Sequence, residues 1–262
     1  MPPESFPHLT HAAQLALLDR TTRAALTEHY GLDGSHVLME VQQYEDNAVW
    51  RVTPPGHPSF AARLSVRDGR PAHQQRSEMR WLESLAQAST VAIPEPVTSS
   101  DGQYVVDVEV PGHDEPSTLA VLHWLPGTAE PPYRRPGVAE DMGSATAHLH
   151  ANAAAVPMSE FDRPTWDAET ILLKGHALTD PQAARQLGTE GLAALRELAD
   201  RITPALAEGG QADRGRIHGD LHRENMIELP GGGVGIIDFD DCGTGVLTEL
   251  TSLFMQVRGY VC

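Results

Sequence analysis

The sequence predicts an α+β chain in two lobes, the first built on an antiparallel sheet with a helix against it and the second mainly helical. Three observations carry that reading. Strand-like runs broken by proline- and glycine-bearing turns fill the first half, alanine-rich segments of helical period fill most of the second, and a proline-rich stretch from Pro126 to Pro136 divides them. The lobes are accordingly set at residues 1–125 and 126–262.

The segment Thr10 to Tyr30 reads as a helix, with Thr10 as N-cap, Leu15, Leu18 and Leu26 on or near one face, and Gly31 as the stop. Three strands are expected next, at His36 to Gln42, Ala48 to Thr53 and Ser59 to Val66, the last two joined by the turn Pro54-Pro55-Gly56-His57-Pro58. Pro71 to Ala88 turns helical, Pro71 suiting a first turn and Met79, Trp81, Leu82 and Leu85 supplying an apolar face. Two further strands, Gln103 to Val110 and Thr118 to Leu125, complete the first lobe. In the second lobe helices are expected over Val138 to Ala155 and Pro181 to Ala207, and a hairpin pairs Met226 to Leu229 with Val234 to Ile237 across Gly231-Gly232-Gly233.

A chain of 262 residues can bury a sizeable core, and no apolar stretch approaches the roughly 20 residues of a membrane span, so the chain reads as soluble. The start, Met1-Pro2-Pro3-Glu4-Ser5, lacks the basic-then-apolar order of a secretory leader, and a cytoplasmic location is expected. A net charge of −17 argues against a nucleic-acid partner, which requires a basic face, and no membrane partner is expected. Cys242 and Cys262 are expected as free thiols. Oligomeric state is not legible, although the apolar stretch Val246 to Val257 could pack on the second lobe or on another chain.

The chemistry concentrates near the end. In Ile217-His218-Gly219-Asp220-Leu221-His222-Arg223-Glu224-Asn225, an aspartate precedes an asparagine by five positions, the spacing of a kinase catalytic loop with Gly219 where arginine is usual. Asp220 can orient an attacking hydroxyl and accept its proton, while Asn225 offers a neutral oxygen to a magnesium ion. Asp238 follows thirteen residues after Asn225, at the end of the apolar strand Val234-Gly235-Ile236-Ile237. The hairpin places Asn225 and Asp238 at neighbouring strand ends, so two oxygen ligands converge. A zinc site built on His218, Asp220 and His222 is the alternative metal chemistry, and it leaves Asn225, Asp238 and Asp240 without a part.

His218-Gly219-Asp220-Leu221-His222 with Asn225, followed by Ile237-Asp238-Phe239-Asp240-Asp241, resembles the aminoglycoside phosphotransferase and choline kinase superfamily. The resemblance implies a protein-kinase-like fold, ATP and Mg2+ as cofactors, Asp220 as catalytic base, and Asn225 and Asp238 as metal ligands. It extends to Ser77-Glu78-Met79-Arg80-Trp81-Leu82, similar to the family's helix C, and to Val121 through Gly127, similar to its hinge, which implies adenine contacts at Trp124 and Leu125. Kinases pair a strand lysine with a helix glutamate, yet Lys174 is the only lysine and lies far downstream. Arg63 stands on the matching strand, and its guanidinium can hold phosphate while pairing with Glu78. The turn Tyr44 to Ala48 stands where a glycine-rich loop would cover phosphates. His148 and His150, on an alanine-rich helix, are left out of the site.

The expected activity is phosphoryl transfer to a hydroxyl of a small molecule such as an aminoglycoside or amino alcohol, by catalysis in a cleft between the lobes. Superfamily members usually continue through further helices after the position of Asp238, so the carboxyl-terminal lobe is expected to be shortened. A truncated, non-catalytic nucleotide-binding pseudokinase or interaction module is the alternative.

Overall fold

Helix α1 (His11–Tyr30) starts where the Thr10 hydroxyl accepts from the Ala13 N–H at 3.3 Å and stops at Gly31, whose φ of 65° lies in the left-handed region. Its buried stripe is Gln14, Leu18, Thr22, Ala25 and Leu26, spaced by three and four residues as one helical face demands. Leu15 is only half-buried. Gln14 takes the inward position because its amide is satisfied there, donating to the Phe6 carbonyl at 3.0 Å and accepting from the Tyr44 hydroxyl at 2.7 Å.

A computed structural model of the chain describes residues 5–66, 70–88, 91–115, 117–127, 136–155, 161–167, 170, 181–208 and 214–246. Lys174, Cys262, the apolar stretch beyond Val246 and most of the proline-rich segment before Pro136 lie outside the described residues. The chain forms two compact units, Met1–Pro126 and Gly127–Cys262.

The first unit carries an antiparallel sheet of β1 (Leu38–Tyr44), β2 (Asn47–Thr53), β3 (Phe60–Ser65), β4 (Pro96–Val97), β5 (Val105–Val108) and β6 (Ser117–His123). The order is β1-β2-β3-β6, and the outer edge of β6 is shared, β5 pairing along Ser117 to Ala120 and β4 along Val121 and Leu122. β1 runs two residues beyond the expected span and carries a bulge between Val41 and Gln43. β4 was not anticipated, since two residues beginning with proline carry no periodicity.

Alternation along the strands divides the sheet's two faces. Ala48, Trp50 and Val52 of β2, Ala62 and Leu64 of β3, and Leu119 and Val121 of β6 join Leu18, Ala25 and Leu26 of α1 in one buried core. The intervening residues of β3 and β6 meet helix α2 (Ala72–Ala88), where Arg63 bonds Glu78 and Thr118 accepts from Gln75. Met79, Trp81, Leu82 and Leu85 of α2 are buried as expected.

In the second unit, helix α3 (Val138–Ala155) buries Ala145, Leu149 and Ala153, one small-large-small stripe at i, i+4 and i+8, and packs against strands β7 (Arg214–Ile217) and β9 (Val234–Ile236). Helix α4 (Pro181–Glu208) is interrupted at Gly188, whose φ of 65° and ψ of −177° leave the helical region. β8 (Met226–Glu228) pairs with β9, and β7 pairs antiparallel with β10 (Gly243–Val246). The second pair was not anticipated from the sequence. Its residues are mostly glycine and arginine, which hide the strand signal. Among the described residues, no helix is long and apolar enough to cross a membrane.

Leu26 is fully buried at the centre of the first unit's core. Leu26→Ala should cost about 2–5 kcal/mol, read from urea unfolding followed by the fluorescence of buried Trp50.

Candidate active site

The strand pairings of the second unit bring two loops together. Ile217, the last residue of β7, pairs with Gly243, the first of β10; Met226, the first of β8, pairs with Ile236, the last of β9. Loop 218–225 and loop 237–242 therefore leave the same strand ends. The β8–β9 ladder is prolonged by the Ile237 N–H, which donates to the Asn225 carbonyl at 2.9 Å, so Asp238 is the next residue after the cross-strand partner of Asn225.

Within loop 218–225 the side chains fix one another. The amide nitrogen of Asn225 donates to the Asp220 carbonyl at 2.9 Å and lies 3.4 Å from its carboxylate Oδ2. That assigns the orientation of the Asn225 amide and leaves its carbonyl oxygen as the group it can offer a cation. The His222 Nδ1 accepts from the Glu224 N–H at 3.2 Å, so its proton sits on Nε2 and is donated to Asp220 Oδ2 at 3.2 Å. Both donors approach Oδ2, while the Asp220 side chain keeps 25% of its surface exposed. His222 was noticed in the sequence as part of the motif and as an alternative zinc ligand; its orienting contact depends on a loop shape that spacing alone does not reveal.

His218 is buried, and both its ring nitrogens serve the backbone. Nδ1 accepts from the Asp220 N–H at 3.3 Å, and Nε2 donates to the Ile237 carbonyl at 2.9 Å. Its ring packs on Phe239 with centroids 4.6 Å apart. Burial pushes the imidazole down to about 4, against a partial upward pull from the Ile237 carbonyl. With both nitrogens committed, His218 has no lone pair for a metal. Among the described residues no three His, Cys, Asp or Glu side chains gather as a metal site. Near the same strand ends, the Asn225 amide oxygen and the Asp238 carboxylate are hard oxygens of the kind that could hold magnesium.

Asp238 is exposed and adopts φ 63°, ψ 64°, the only left-handed non-glycine residue among the described residues. The 3-10 turn Phe239–Asp241 follows it. Gly219 has φ 84°, and a Cβ there would stand 2.1 Å from the Asp241 carbonyl oxygen, so this position of loop 218–225 admits no side chain. Segment 161–167 borders the same turn through Arg163 and Trp166, residues that no sequence motif singled out.

In the first unit, Arg63 and Glu78 form a buried two-pronged ion pair, with NH1 to Oε1 at 2.9 Å and NH2 to Oε2 at 2.7 Å; Arg63 is 7% and Glu78 1% exposed. Trp124 follows β6; its N–H donates to the Ser59 carbonyl at 3.0 Å, and the Arg51 guanidinium lies 5.1 Å from the centroid of its ring. Leu125, half-buried, comes next. The turn at residues 45–46 is an ordinary hairpin connection closed by the Glu45 N–H to the Asn47 carbonyl at 3.1 Å. His148 is exposed, and burial lowers the titration of His150.

The phosphotransferase enzyme family model matches residues 38–258. Among solved structures, the chain is similar to a microcompartment-associated aminopropanol kinase, at 28% identity and a TM-score of 0.69 over 86% of this chain and 70% of that one. It is similar to an amicoumacin kinase solved with AMP-PNP and Ca2+, at 20% identity and a TM-score of 0.70 over 94% and 71%. A spectinomycin phosphotransferase solved with ADP and spectinomycin matches at 14% identity and a TM-score of 0.60 over 87% and 70%. These likenesses identify the fold as the two-lobed, protein-kinase-like one. A comparison with curated proteins finds no match.

Two outcomes test the site's architecture. Gly219→Ala should destabilise the protein by roughly 1–3 kcal/mol or more, whereas Gly231→Ala, which meets nothing within 4 Å, should stay within about 0.5 kcal/mol; denaturant titration distinguishes them. The folded-state titration of His218 at about 4 lies below its unfolded value of 6.5, so between them the unfolded chain binds the extra proton and stability falls as pH drops. The loss should reach roughly 3 kcal/mol at pH 4 relative to pH 7, and His218→Asn should remove that part of the slope.

Proposed function

Because the chain belongs to the phosphotransferase enzyme family, we propose that it is a kinase transferring the γ-phosphoryl group of ATP to a hydroxyl of a small molecule. The observation that carries this reading is the Asp220–Asn225 pair held in one loop, with Asp238 one residue beyond the cross-strand partner of Asn225. Asp220 takes the proton of the attacking hydroxyl on Oδ1, since His222 and Asn225 approach Oδ2. The substrate oxygen forms a bond to the γ-phosphorus as the bond to the ADP oxygen breaks, and the products are ADP, the phosphate ester and a proton. Asn225 and Asp238 would hold Mg2+, which when bound neutralises charge on the transferred phosphates. Arg63, kept straight by Glu78, meets the α and β phosphates in place of the usual lysine. At the end of β6 the amide of Trp124 is already bonded to Ser59, so the Leu125 backbone and the Trp124 ring are assigned to the adenine.

An amine-bearing alcohol is the proposed acceptor class. The similarity to an aminopropanol kinase and the chain's charge of −17 both favour a cationic substrate. A cytoplasmic location, where ATP is abundant, is part of the same proposal.

Isothermal titration with AMP-PNP, with and without Mg2+, tests the reading. Magnesium-dependent binding is expected in the wild type and lost in Asp238→Ala, while Asp220→Asn should keep it and lose turnover by about 10²–10⁴-fold. Undiminished turnover in Asp220→Asn would sink the assignment of the base. No binding to folded wild-type protein would favour the non-catalytic module instead.

A further inference from the structure

The turn after Asp238 gives three successive carbonyls, those of Asp240, Asp241 and Cys242, to two side chains of one short segment. Arg163, itself buried, donates from Nε to the Cys242 carbonyl at 2.8 Å and from NH2 to the Asp240 carbonyl. Trp166 donates from its indole Nε1 to the Asp241 carbonyl at 2.8 Å. The backbones join as well: the Trp166 N–H reaches the Thr244 carbonyl at 2.7 Å, and the Thr244 N–H reaches the Pro164 carbonyl at 2.9 Å. On its other side the Asp241 carbonyl meets Gly219, where a Cβ would stand 2.1 Å away. Gly243 is equally confined, its Cβ position lying 2.4 Å from the Pro164 carbonyl. The Asp241 carbonyl thus sits in a slot between the Asp220 loop and the Trp166 indole.

Asp238 enters this turn in the left-handed conformation, which persists in a non-glycine residue only where the surroundings over-determine it. The internal bond from the Cys242 N–H to the Phe239 carbonyl, at 2.9 Å, shapes the turn but does not place it. The His218 bond to the Ile237 carbonyl holds the entry to the turn, and Arg163 and Trp166 hold the rest of it, their donors fixing all three following carbonyls. Groups that orient metal ligands without touching the metal typically govern affinity by 10–100-fold, in order of magnitude roughly as the ligands' own supports do.

We propose that Arg163 and Trp166 are positioning residues that set the cation affinity of Asp238 by clamping the turn behind it. This rests on the reading of Asn225 and Asp238 as cation ligands. Trp166→Phe keeps the ring and deletes the donor; Arg163→Lys keeps the charge and deletes the fork. Binding of Mn2+ by the full chain in the presence of AMP-PNP, followed by electron paramagnetic resonance of the free ion, is the readout. The Kd for Mn2+ should rise about tenfold or more in each variant, with metal-free AMP-PNP affinity and the ligand-free melting temperature held near wild type. Wild-type Mn2+ affinity in both folded variants overturns the proposal, as does a loss of affinity that merely follows a fall in melting temperature. Should Trp166→Phe fail to fold, Arg163→Lys decides alone. Absence of nucleotide-dependent Mn2+ binding in the wild type is seen before any variant is made, and it overturns the ligand assignment together with this proposal.

Discussion

The imidazole of His218 bridges two loops that the chain supplies nineteen residues apart, accepting from the Asp220 N–H on one side and donating to the Ile237 carbonyl on the other. Because the ring is buried, the charged form is disfavoured, and the neutral tautomer with a proton on Nε2 is the one that satisfies both partners. The two loops of the second unit's site are tied to each other through that ring. Asp220 is placed from its amide, Asp238 from the carbonyl before it, and Phe239 from the packing of its ring on the imidazole. A residue whose side chain takes no part in the chemistry thereby sets the spacing between the proposed base and the proposed cation ligand.

The first unit uses a different device for a comparable end. Strand alternation commits Ala62 and Leu64 to an apolar core shared with α1, which leaves Arg63 facing α2 and Glu78. A guanidinium forks onto a carboxylate in a way that an ammonium cannot, and the plane of the pair is set by two bonds of 2.9 and 2.7 Å. Burial of both groups makes each depend on the other, since removal of either partner strands a charge away from water.

Much of this was legible in the sequence, for reasons that differ between regions. Thr10 and Gly31 announced the ends of α1 because capping is a local matter, and the residues of loop 218–225 announced themselves because their chemistry demands fixed spacing. The Arg63–Glu78 pair was readable from strand and helix order. Gln14 was not, because an inward glutamine is stable only with Tyr44 and the Phe6 carbonyl beside it, partners thirty and eight residues away. Arg163 and Trp166 were invisible for the same reason in stronger form: they bond to backbone carbonyls more than seventy residues distant, and a carbonyl leaves no trace in the amino-acid code. Strands β7 and β10 escaped because Arg214-Gly215-Arg216 and Gly243-Thr244-Gly245 are poor in residues that favour strands, and Gly243 is required by its close approach to the Pro164 carbonyl.

Gly219 also sets this loop apart from its counterpart in protein kinases. Protein kinases carry arginine at the corresponding position of the His-x-Asp sequence, and phosphorylated activation segments are ordered by pairing with arginines. Here the Asp241 carbonyl and the Trp166 indole fill the space into which any side chain would grow. An arginine has no room at residue 219 of this chain, so the shape of loop 218–225 is referred to the backbone of the neighbouring turn and not to a docked phosphate.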